Sequence, residues 1–269
     1  MSNQFASIGP FRVRRTIHTT RASTTYLALD KQDNRVTAVT MLHLDIRQRP
    51  HAYHQFSRAA REIQKLQHPA ILPILEYGDA VGHPYVAFPY CAGHTVRDQI
   101  ENRPLTLSET VNLLQALVPA LDMAHRLRLF HRDISPQHIG CPPDGRILWR
   151  NFGMATLFAC FHSRQAAIPY GTAANMAPEM IQGGQPTALT EVYQLGITTY
   201  QMLTGRLPFT GPDHELLRCH LELMPTPPGK YVHTLDPAVD QILGRALAKK
   251  PEDRFPTAGR FLDALTSIL

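Results

Sequence analysis

An imidazole, a guanidinium and a carboxylate stand in succession at His131, Arg132 and Asp133, side-chain types that move protons and pair with anions. Asn151-Phe152-Gly153 begins 18 residues beyond Asp133, and Ala177-Pro178-Glu179 follows. Fourteen histidines and four cysteines also raise metal chemistry. Cys91 with His94, His138 with Cys141, and Cys160 with His162 are the nearest pairings, and none extends to the four-ligand set of a closed zinc site. No metal site is expected. Cys91, Cys141, Cys160 and Cys219 contain no CxxC pair, so they are expected to be reduced thiols rather than a disulfide framework.

Such residues need a folded body to position them. The chain has 269 residues, 43% apolar and 18% charged, with 16 glycines and 22 prolines, which suits a packed core and excludes fibrous or low-complexity architectures. Residues 11–18, 24–29 and 35–42 mix β-branched and apolar types around an Asp33-Asn34 turn signal, predicting an antiparallel meander. Tyr53, Phe56, Ala60, Ile63 and Leu66 recur at helical spacing between Pro50 and His68, predicting an amphipathic helix. Strands are expected over 71–77 and 83–90.

Beyond Ala92-Gly93 the pattern changes to longer helices. Thr106 and Glu109 form a capping box for a helix reaching Leu127, expected to bend at Pro119. Asp236-Pro237 reads as an N-cap and a first-turn proline. The formal net charge is +5 and the pI about 9.1, yet the basic residues are dispersed, so nucleic acid is not an expected partner. No apolar run approaches the roughly 18 residues that cross a bilayer, and the first residues lack the apolar stretch of a secretory leader. A cytoplasmic chain without a membrane span is expected.

These motifs, in this order, resemble a eukaryotic-like Ser/Thr protein kinase domain of the type common in bacteria. His131-Arg132-Asp133, Asn151-Phe152-Gly153 and Ala177-Pro178-Glu179 sit where that family has its HRD, DFG and APE motifs. Gly171-Thr172, Leu195-Gly196 in a helix beginning near Thr190, TGRLPF at 204–209, and Arg254 extend the likeness from Phe11 to Leu265. The resemblance implies an α+β, bilobal protein-kinase-like fold. Its β-rich N-lobe with one main helix would cover residues 1–92 and its mostly helical C-lobe residues 93–269. It implies a buried His131, a Phe152 in the apolar spine and a Glu179–Arg254 pair. It assigns Asp133 the role of base, and it places cofactor-binding positions at Ala38, Thr40, Phe88, Tyr90 and Cys91.

The same comparison shows which charged groups are gone. His18, Thr20 and Ser23 fill the three glycine positions of the phosphate-binding loop, where a side chain hinders close backbone approach. Thr40 replaces the phosphate-binding lysine and Ala59 the glutamate that would pair with it. Loss of one partner would strand a buried charge at a cost of several kcal/mol, whereas loss of both leaves the fold intact. Asn151 and His138 stand at the two metal-ligand positions, where a hard cation such as Mg²⁺ favours carboxylate oxygens, and Ser135 replaces the catalytic-loop lysine. Glu191 stands where the family has a shorter aspartate bracing the catalytic loop, so an altered loop is expected.

Removing one preorganised electrostatic group costs about 3–4 kcal/mol of transition-state stabilisation. The expectation is therefore a pseudokinase, a binding or regulatory module with a protein partner and no cofactor. The alternative is an active kinase using ATP and magnesium, with Arg21, Arg14 or Arg15 supplying a relocated cation. Arg132 would pair with a phosphorylated Ser163 or Thr172 if another kinase modified them.

Overall fold

The computed structural model describes residues 6–161 and 173–269, apart from the side chain of Gln48. Ser163, Thr172 and His162 lie outside the described residues. The first part of the chain is a six-stranded antiparallel sheet in the order β1-β2-β3-β4-β6-β5. Its strands are β1 (Ser7–Ile8), β2 (Phe11–Thr19), β3 (Ser23–Asp30), β4 (Val36–Leu42), β5 (Glu76–Ala80) and β6 (His83–Pro89). Helix α1 (Pro50–Gln64) carries the expected apolar face, burying Phe56, Ala60 and Ile63, with Pro50 in its first turn, where a missing N–H costs nothing.

The strand expected over 71–77 is misplaced. Ile71 makes only an isolated bridge to Trp149, and the ladder begins at Glu76. Pro73 offers no N–H to a ladder, and the neighbouring amides bond elsewhere: Leu72 N–H to Trp149 at 2.9 Å and Leu75 N–H to Ala87 at 2.8 Å. Ile71 and Ile74 are thereby free to bury their side chains in the main core.

After β6 the chain crosses residues 90–93 into the helical lobe. Gly93 has φ +100°, and a Cβ there would lie 2.5 Å from the Cys141 carbonyl oxygen, so the crossing requires glycine. A small sheet of β7 (His94–Thr95), β8 (Ile139–Cys141) and β9 (Leu148–Trp149) lies beneath it. The helices are α2 (Val96–Asn102), α3 (Leu107–Arg126), α4 (Met154–Ala159), α5 (Pro178–Ile181), α6 (Ala188–Thr204), α7 (Asp213–Glu222), α8 (Pro237–Ala246) and α9 (Ala258–Thr266). Both halves of the Thr106–Glu109 capping box form, and α3 continues through Pro119 as one helix. Asp236 caps α8, accepting from Ala238 N–H at 2.7 Å. No described helix is long and apolar enough to cross a membrane.

Helix α6 positions the chemistry. It is buried over nearly its whole length, so its polar side chains must find internal partners. Thr187, three residues before the expected start, is its N-cap. Glu191, Gln194 and Thr198 share one face at helical spacing and all bond the segment that contains Asp133. Glu191, fully buried, accepts from Arg132 N–H at 2.5 Å through Oε1 and from His125 Nε2–H at 2.7 Å through Oε2. Gln194 Nε2 donates to the Arg132 carbonyl at 3.1 Å, and Thr198 Oγ1 donates to the Ile134 carbonyl at 3.2 Å. These bonds hold Arg132 at φ +68°, a left-handed conformation that a long side chain rarely adopts. The longer Glu191 therefore braces the loop, contrary to the altered loop expected from its extra methylene.

His131 is fully buried, donating from Nε2 to the Arg150 carbonyl at 3.0 Å and accepting the Asp133 N–H at Nδ1 at 3.4 Å. Its ring contacts Phe152 and Trp149 at centroid distances of 5.3 and 5.4 Å. Burial, with the nearby His138, lowers its pKa to about 3. Arg254, with its side chain fully buried, grips Glu179 with two bonds of 2.9 and 2.8 Å. Both the His131 packing and this pair match what the resemblance implies.

Two stability outcomes are expected. Arg254→Ala should cost about 3–5 kcal/mol, because it strands Glu179 and three backbone carbonyls; denaturant unfolding measures it. His131 binds its proton more weakly when folded than when unfolded, so its contribution is complete above about pH 6.5 and is lost as pH falls toward about 3. Between those limits the wild type should lose about 1.4 kcal/mol per pH unit through this residue. A His131→Phe variant should show a slope shallower by one proton, and an unchanged slope would refute the assignment.

Candidate ligand cleft between the lobes

Ala38, Thr40, Phe88, Tyr90, Cys91 and Asp133 all line one cleft of about 610 Å³ between the sheet and the helical lobe. The upper wall is rich in hydroxyls. Thr40 on β4 faces Thr25 on β3, with 3.0 Å between their oxygens, so the lysine position is closed by a neutral cross-strand bond. In the turn between β2 and β3, Thr20 Oγ1 accepts from the amides of Ala22 and Ser23 at 3.2 and 3.0 Å. Those two N–H groups are thus occupied by the turn itself instead of facing an anion.

The lower wall carries Asp133, His138 and Asn151. His138 Nδ1–H donates to the Asp133 carbonyl at 2.8 Å, and the Asp133 carboxylate Oδ2 lies 3.4 Å from the same nitrogen. Ser135, at the catalytic-loop lysine position, is buried with its hydroxyl 3.3 Å from His138 Nδ1. Asp133 Oδ1 is buried with no hydrogen-bond partner among the described residues. Asn151 has φ +58°, a conformation asparagine tolerates.

Magnesium and a nucleotide triphosphate do not fit this donor set. Asp133 is the one carboxylate among the described lining residues, Asn151 is a neutral amide, and the Nδ1 of His138 is committed to the backbone. No group of three or more His, Cys, Asp or Glu among the described residues could hold a metal. Arg14, Arg15 and Arg21 are exposed and do not line the cleft, so the structure gives no support to them as relocated cations.

Helix α4 enters the cleft directly after Gly153 and contributes Met154, Ala155 and Phe158 to its lining. Gly153, at φ +76°, lies against Ile63 of α1, where a Cβ would meet the Ile63 side chain at 2.5 Å. Phe161 packs on Phe56 of α1 at 5.5 Å, and Arg49 donates to the Phe161 carbonyl at 2.6 Å. The space beneath α1 that a lysine–glutamate pair would cross is thus packed with apolar groups.

A second recess, of about 410 Å³, lies between α1 and the helical lobe and is lined by Arg58, Ala59, Arg128, Arg132 and Thr156. Burial lowers the Arg132 pKa against the opposing pull of Glu191, and its Nε has no hydrogen-bond partner among the described residues.

Two cleft residues were missed from the sequence. Arg150 lines the cleft, and its stem lies across Gly140 of β8: a Cβ on that glycine would sit 2.9 Å from Arg150 Cδ and 3.1 Å from Cys91 Sγ. Its position directly before Asn151-Phe152-Gly153 was the available signal. The significance of Gly140 depends on that spatial neighbour and had no sequence signal.

Comparison with known proteins agrees with this architecture. The family model described as "Protein kinase domain" matches residues 11–264. The serine/threonine-protein kinase PknB of Mycobacterium tuberculosis is 32% identical over 254 residues, covering 91% of this chain and 41% of its own length. The serine/threonine-protein kinase PrkC of Bacillus subtilis is 29% identical over 252 residues, covering 93% of this chain and 39% of its own. The chain thus spans about two fifths of the length of these curated relatives. The crystal structure of the Mycobacterium tuberculosis PknI kinase domain superposes with a TM-score of 0.77 at 24% identity, covering 98% of each chain, a likeness of fold. With a β-rich lobe carrying α1, a helical lobe built on α6, and the three ordered motifs facing their shared cleft, this chain belongs to the protein kinase domain family, in its bacterial serine/threonine type.

Proposed function

We propose that this kinase-fold domain is a pseudokinase, serving as a binding or regulatory module for a protein partner rather than transferring phosphate. The observation that carries the reading is the Thr25–Thr40 hydroxyl bond at the lysine position, opposite an α1 whose corresponding residue is Ala59. A triphosphate brings several negative charges, and the cleft lacks the lysine, the glycine loop and the carboxylate ligand that would offset them. Asp133 keeps the place of the base, but a base with no anchored phosphoryl donor performs no transfer. No cofactor is required by this reading, and nucleic acid is not its partner.

The arginine recess supports regulation as part of the same reading. Arg132, desolvated and without a hydrogen bond from Nε among the described residues, is poised for an anion. A phosphoryl group placed by another kinase on Ser163 or Thr172 would supply one.

The competing reading, an active kinase, makes an opposite prediction. The purified chain should show no thermal stabilisation by ATP beyond that by ATP without metal, whether Mg²⁺ or Mn²⁺ is supplied, and no autophosphorylation. Radiolabelled phosphate transfer that vanishes in Asp133→Ala would overturn the proposal.

A further inference from the structure

The cleft keeps a volume of about 610 Å³ although the groups for holding a phosphate tail are replaced, so what it can still hold is a question of its walls. The roof is apolar, with Ile17 and Ala38, and the back is closed by Phe88. The floor differs in kind. Gly140 has no side chain, and the Arg150 stem lies across it beside Cys91. No hydrogen bond or ion pair ties down the Arg150 guanidinium among the described residues. Guanidinium groups in that state stack on aromatic faces, a geometry that an ammonium cannot reproduce because it is not planar.

The rim supplies an edge. Cys91 follows β6, and its main-chain N–H has no acceptor among the described residues. A peptide N–H facing a cleft offers a donor to a ring nitrogen. The charge balance then decides between an anionic and an uncharged ring. Asp98 carries a carboxyl whose pKa is lowered chiefly by its bonds to Thr95 and in part by Arg150, so the guanidinium already has a neighbouring counter-charge. At the other end Asp133 presents an unpartnered carboxyl oxygen. The cleft has no surplus positive charge to hold an anion.

From this we infer that the cleft binds an uncharged nitrogen heterocycle of purine size, without metal, its face stacked on Arg150 and its edge on the Cys91 backbone. The upper hydroxyls of Thr20, Ser23, Thr25 and Thr40 suit an attached sugar better than a phosphate chain. Arg150 is then the specificity-determining residue, and Gly140 is what allows it to lie there. The inference deepens the pseudokinase reading by naming the ligand class of the same cleft.

The test is calorimetric titration of the full chain with adenosine in EDTA, then with ATP with and without Mg²⁺. Adenosine should bind without metal. Arg150→Leu should weaken it by about threefold to thirtyfold. Arg150→Lys should also weaken it, since charge is kept and the plane is lost. Gly140→Val, which displaces the arginine without removing it, should give a loss of similar size, with circular dichroism confirming that each variant is folded. No adenosine binding, or binding indifferent to Arg150→Leu, overturns the inference and leaves the pseudokinase reading standing. Wild-type affinity in Arg150→Lys overturns the stacking. ATP with Mg²⁺ binding more than tenfold tighter than adenosine would overturn both.

Discussion

A buried carboxyl group on a buried helix holds this site together. Glu191 has no contact with solvent, and its two oxygens accept from the Arg132 amide and the His125 ring. A polar group so placed is tolerated only when its bonds are made, so the loop around Asp133 and the central helix α6 specify each other. Gln194 and Thr198 extend the same face along one stripe of helix. Arg132 is held left-handed by this grip, and that places its guanidinium in the recess under α1 while Asp133 turns to the cleft.

Against that fixed loop, the substitutions in the cleft form a consistent electrostatic pattern. Charged groups were exchanged as sets. Thr40 and Ala59 stand for two members of an ion pair, so neither position leaves a charge without a partner in low dielectric. The vacated space is filled in two ways: by hydroxyls bonding one another in the sheet, and by apolar side chains of α4 packing under α1. Buried groups whose bonds are internal to the fold, His131 and the Glu179–Arg254 pair, are retained. Their energetic role does not depend on any ligand.

The turn between β2 and β3 shows the same logic at the level of backbone. Thr20 accepts two amides that would otherwise point outward, which makes the turn self-sufficient and removes donors from the cleft. At the opposite wall the exchange runs the other way. Gly140 removes a side chain from the floor, and Arg150 fills it with a cation outside any motif. The cleft has been rebuilt, with its cation moved from the roof to the floor.

Much of this was determined by the amino-acid sequence alone, because it rests on local rules. The apolar face of α1, the Thr106–Glu109 box and the Asp236 cap follow from residue type and spacing within one turn. The ordered motifs located Asp133, and the replacements at Thr40 and Asn151 were visible as changes of charge at known positions. The strand at 76–80 was misread because Pro73 and the bonds to Trp149 and Ala87 outweigh a run of β-forming residues. The bracing by Glu191, the packing of α4 under α1 and the Arg150 floor were decided by the tertiary structure only. Each depends on where a side chain far away in sequence comes to lie, and the free energy of a buried charge is set by those neighbours rather than by its own residue type.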